Sequence, residues 1–135
     1  MMLTLDDYFA GYADRDIPDA HRDSAELLLQ RVNPLLEHMV GLGWEPTVGT
    51  HTGTMVSGQR DGGWRPQDCP IGAPNSAHKV GRAVDVADAD GSVDELLTDE
   101  ILEQFGLYRE HPDATAGWVH LSDRAPHSGN RTFFP

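Results

Sequence analysis

Apolar residues recur at helical spacing through Leu27, Leu28, Val32, Leu35, Leu36 and Met39. The spacing predicts a helix that starts near Asp19 or Asp23 and ends at Gly41 and Gly43. Pro34 interrupts it, so either the helix kinks there or Asn33 caps a second helix with Pro34 in its first turn. A short helix is expected from Leu5, with Thr4 as its cap and Asp6 and Asp7 in its first turn. Another is expected over Val93–Phe105, with Leu96, Leu97, Ile101, Leu102 and Phe105 on its apolar side and Gly106 closing it. Elsewhere the period changes to two. Arg82 to Val86 alternates, with Ala83 and Asp85 on one face and Val84 and Val86 on the other. Trp118 to Leu121 reads as a strand and Thr132 to Phe134 as a further one. Thr47-Val48 and Thr54 to Ser57 read as short strand pieces. Residues 58–75, rich in Gly and Pro, form a long loop carrying Arg60, Trp64 and Arg65, and long loops in compact domains are often functional. The expected class is α+β: one domain over 1–135, with residues 1–18 as an N-terminal helical extension and helices covering one face of a small antiparallel sheet.

Charge narrows the partners. The net charge is −12, and such a surface repels polyanions, so general nucleic-acid binding is not expected. Abundant Asp beside a single Lys fits a high-salt host and a GC-rich genome equally well. No apolar run approaches the roughly 20 residues that span a bilayer. The acidic N-terminus has no basic leader region, so no signal peptide is expected. Cys69 is alone, which excludes an internal disulfide, and it reads as incidental rather than as a metal ligand.

His78 and Asp85 stand seven residues apart around Gly81. In one flat strand they would point to opposite faces, so the chain must turn between them, and Gly81 tolerates the positive φ of such a turn. Ser76 is expected to support that turn by a side-chain hydrogen bond to the backbone. His120 would come from an adjacent strand, leaving Val84 and Val119 to the core. Two imidazoles and one carboxylate are ligands of the kind a catalytic zinc takes, with a position left for water. They suit several other divalent ions as well. Trp64 and Arg65 either line a substrate groove or, for the Trp, pack onto the domain. Asp88 to Ser92 reads as an Asp-rich turn. It is not a calcium loop, because Val86 and Leu97 occupy ligand positions of that register. His21, His38 and His111 read as surface residues.

The pattern Ser76-x-His78-x-x-Gly81-x-Ala83-x-Asp85, followed by Trp118-x-His120, resembles the zinc D-Ala-D-Ala carboxypeptidase family (VanY-like and hedgehog-type zinc peptidases). The resemblance runs from about residue 23 onward, and Ser57-Gly58-Gln59-Arg60 is similar to that family's Ser-Gly-x-Arg segment. The tail Pro126–Pro135 resembles the ending of a small phage and prophage subgroup. The resemblance implies a hedgehog-like fold and Zn2+ held by His78, Asp85 and His120. It further implies that Arg60 polarises the scissile carbonyl or anchors a carboxylate, that Ser76 and Trp118 bind substrate, and that the substrate is a peptidoglycan stem peptide, cut either at its D-Ala-D-Ala end or at an L-Ala–D-Glu bond inside the stem. The protein would remain cytoplasmic until released, or travel with a virion. Gly117 departs from the pattern: many members place a general-base glutamate there, and others a histidine at the position of Trp118. Glu110 is therefore the candidate base, ahead of Asp113. The alternative is a non-catalytic zinc-folded domain serving among virion or tail proteins, or binding peptides.

Overall fold

The structure, a computed structural model, describes residues 2–135. Helix α1 (Leu5–Phe9) opens on a capping box: the Thr4 hydroxyl accepts from the Asp7 amide, and the Asp7 carboxylate accepts from the Thr4 amide. Helix α2 (Asp19–Gly41) runs unbroken through Pro34. Asn33 caps nothing. Its side-chain amide pairs with both backbone polar groups of Leu3, at 2.8 and 2.9 Å, and ties the N-terminal segment to α2. The buried face of α2 carries Leu28, Leu29, Val32, Leu35, Leu36 and Met39, whereas Leu27 lies outside that stripe at 59% exposure.

The helix expected over residues 93–105 is two helices, α3 (Ser92–Leu96) and α4 (Asp99–Phe105). Leu97 is extended and buried, and Thr98 starts α4 afresh by accepting from the Ile101 amide. Asp88 performs the same service for α3, its carboxylate accepting from the Val93 and Asp94 amides. The Asp-rich turn thus satisfies amides that a helix start leaves free.

Four strands form one sheet in the order β1 (Ala83–Ala87), β3 (Trp118–Ser122), β2 (Tyr108–Glu110), β4 (Thr132–Phe133). β3 is antiparallel to both its neighbours, but β4 runs parallel to β2. The sheet is therefore mixed rather than purely antiparallel. The return segment after β3 carries the chain to the far side of β2 before it pairs, with the His111 amide bonded to the Phe133 carbonyl at 2.7 Å. Residues 47–48 and 54–57 form no strand. Val56 makes one isolated bridge to Val86, and the neighbouring backbone covers the free edge of β1.

Val84, Val86, Val119 and Leu121 join α2, Leu102 and Leu107 in one apolar core. The N-terminal residues are not an appendage to it: Leu3, Tyr8, Phe9 and Tyr12 are all buried there. The class is α+β, as the mixture of patterns implied. Among the described residues no helix is long and apolar enough to cross a membrane.

Candidate metal centre

Each of the three candidate ligands is delivered by a local feature. His78 sits in a single 3-10 turn, Ala77–Val80, closed by Gly81 at φ +79°. A Cβ on Gly81 would lie 2.4 Å from the His21 carbonyl, so the turn requires glycine for space as well as for φ. The Ser76 side chain makes no capping bond to this turn, contrary to expectation. Only its carbonyl does, accepting from the Lys79 amide. Asp85 and His120 are direct partners in the β1–β3 ladder. Side chains at such positions share a face about 5 Å apart. Alternation then sends Val119 and Leu121 into the core, while Trp118, His120 and Ser122 face the cleft.

The result is a tight cluster. One ligand atom from each of His78, Asp85 and His120 lies within 4.8 Å of the others. His78 Nδ1 is 2.8 Å from the Gly63 carbonyl, which can only accept, so that nitrogen carries the hydrogen. Its Nε2 is left facing Asp85 Oδ1 and His120 Nδ1, both at 3.3 Å. His120 Nδ1 is 3.0 Å from Asp85 Oδ1. Burial alone would raise the Asp85 carboxyl, but the facing imidazoles of His78 and His120 outweigh it and hold the group well below the usual carboxylate range. Burial likewise opposes charge on His120, yet Asp85 outweighs it and raises the imidazole above its ordinary value. Two nitrogens and one carboxylate oxygen converging beside a solvent-reaching cleft, with one imidazole already oriented by a carbonyl, are a donor set that can hold a divalent ion.

The cleft is about 910 Å³ and is lined by Arg65, Ser76, Glu110 and Trp118 as well as the cluster itself. Glu110, on β2, brings Oε1 to 3.8 Å from His120 Nδ1. Asp113 lies in the exposed turn that follows and does not reach the cleft. Arg60, expected to face substrate, lies away from the cleft. Its guanidinium lies 4.1 Å from the centre of the Tyr12 ring, and it does not line the cleft. Arg65 stands at the cluster instead, with Nη2 3.6 Å from Asp85 Oδ2 and Nε donating to the Asp61 carbonyl at 2.7 Å. Of the two loop residues weighed for a groove, Arg65 lines it and Trp64 packs into the core. The Trp64 indole donates to a half-buried His21. Cys69 is buried among Tyr12 and Asp61, away from the cluster.

Gly117 adopts φ +95° with open space where a Cβ would be, and its carbonyl accepts from Asp88. The conformation of the turn into β3 is one that a glutamate would strain. The strand expected at Thr132 to Phe134 forms, but nothing in its sequence pointed to a part in the site. Phe133 sets its ring edge-on to His120, with centroids 6.4 Å apart, and Phe134 stacks on His111. The chain matches no family model, no curated protein and no solved structure.

Proposed function

We propose that the chain is a zinc-dependent peptidase of the D-Ala-D-Ala carboxypeptidase type, with that family's hedgehog-like fold, acting on peptidoglycan stem peptides. The observation that carries this reading is the Glu110 carboxylate beside the His78–Asp85–His120 set, on the wall of an open cleft. His78 Nε2, Asp85 and His120 Nδ1 would hold the zinc. When bound, zinc supplies Lewis acidity, activating water and polarising a carbonyl. Glu110 accepts the proton given up during attack and passes it to the leaving amine. Arg65 stabilises the charge that develops on the carbonyl oxygen, taking the role the resemblance gave to Arg60. Trp118 and Ser76 line the cleft that receives the peptide.

The second reading, a non-catalytic metal-folded domain of a virion or tail, is favoured by Gly117, which puts no side chain where the resembled family carries its base. One assay separates them. Zinc-loaded protein is incubated with a stem pentapeptide ending in D-Ala-D-Ala and with intact peptidoglycan, and released D-Ala and peptide fragments are quantified. Turnover supports the peptidase. Stoichiometric zinc without any cleavage rejects it in favour of the second reading.

A further inference from the structure

The segment Asp61–Arg65 touches every part of the metal cluster except His120. The Gly63 carbonyl accepts from His78 Nδ1 at 2.8 Å, and the Gly62 carbonyl accepts from the Asp85 amide at 2.7 Å. The Arg65 amide bonds to the His78 carbonyl, and its guanidinium reaches the Asp85 carboxylate. Two consecutive carbonyls thus hold the ring of one candidate ligand and the backbone of another.

That segment is itself clamped by the N-terminal residues. A Cβ on Gly63 would lie 2.0 Å from the Tyr8 carbonyl, and the same carbonyl accepts from the Trp64 amide. Gly11 approaches the Arg60 backbone as closely, with a Cβ there falling 2.1 Å from its carbonyl oxygen. The Tyr12 hydroxyl donates to the Asp61 carboxylate. Tyr8 also reaches the other side of the cluster: its buried hydroxyl donates at 2.8 Å to the carbonyl of Ala83, on the strand that carries Asp85. One residue therefore braces both the loop behind His78 and the strand of Asp85.

We propose that Tyr8 and Gly63 are positioning residues of the metal centre, and that the N-terminal segment sets the affinity and geometry of the bound ion. The inference rests on the metal reading above but not on catalysis. Groups that orient metal ligands commonly change affinity about 10–100-fold when altered. A purely structural brace would change stability alone.

The test uses the full chain and three variants. Zinc affinity is measured by competition with a chromogenic chelator, and ligand geometry by the visible spectrum of the Co2+-loaded protein. Tyr8→Phe removes one hydroxyl and keeps the ring, and is expected to weaken zinc binding roughly tenfold and to shift the Co2+ bands. Gly63→Ala is expected to weaken it more, and if that variant fails to fold Tyr8→Phe decides the matter alone. Met39→Ala, a core change on α2, serves as the stability control and should lower the melting temperature with affinity and spectrum unchanged. Wild-type affinity and spectrum in Tyr8→Phe would overturn the proposal while leaving the metal site intact. A wild-type chain that takes up neither ion would overturn the metal reading itself, and this inference with it.

Discussion

Asp85 stands directly opposite His120 in the β1–β3 ladder, its Oδ1 3.0 Å from His120 Nδ1. The register of one antiparallel strand pair therefore decides whether the candidate ligands converge. A slip of one residue would turn His120 toward the core and Val119 toward the cleft.

Removing the shared carboxylate should remove the site. Asp85→Asn is expected to lower zinc affinity at least about 100-fold, since it deletes the anionic ligand that lies between both imidazoles. Equilibrium dialysis with metal analysis over a range of free zinc checks this, and wild-type affinity in the variant would reject the ligand assignment.

The same pair gives a pH dependence with a definite sign. In the metal-free protein the pKa of His120 is raised, so the stability it contributes is complete below its unfolded value of about 6.5 and is lost as pH rises through the folded value. The Asp85 pKa is depressed, so its contribution is present above about 3.9 and is lost as pH falls through the folded value. A metal ion must displace the His120 proton. The rise in melting temperature on adding zinc should therefore grow between about pH 5.5 and 8. Melts with and without zinc across that range test it, and a rise that shrinks with pH would contradict the proposed ligation.

Glu110→Gln preserves size and removes the base. Zinc binding should survive, while stem-peptide cleavage falls about 10²–10⁴-fold. Unchanged turnover would move the proton transfer elsewhere.

The two loop arginines should behave differently. Arg65→Ala is expected to lower kcat by roughly 10²-fold, within the range for loss of an oxyanion donor. Arg60→Ala should leave kcat and KM alone and cost about 0.5–1 kcal/mol from its exposed contact with Tyr12. Steady-state kinetics and urea melts on both variants decide the assignment.

The extent to which the chain could be read in advance follows how local each signal was. Thr4, Asp85 with Gly81, and the apolar stripe of α2 act within a turn or two, and the structure follows them. The break at Leu97 was legible only through Thr98, whose capping role competes with a continuous apolar pattern across the junction. Arg60 and Arg65 lie in one irregular loop with no periodicity. Only long-range packing separates them, with Tyr12 holding the first and Asp61 and Asp85 holding the second. Strand β2 is three residues long, too short for alternation to stand out. Its pairing with β4 depends on a partner more than 20 residues away.

Thr98 offers a stability test independent of the site. Thr98→Ala removes the hydroxyl that accepts from Ile101, and should cost about 1 kcal/mol with zinc affinity unchanged. Chemical denaturation measures the loss.

The parallel pairing of β4 with β2 also has a temporal meaning. Arg109 and His111 must wait for residues 131 and 133 to take up their backbone amides. During synthesis the strand bearing Glu110 is thus made a few seconds before its outer neighbour, at roughly 5–20 residues per second. The wall that carries Glu110 is thus completed by a strand that lies beyond all three candidate ligands in the chain.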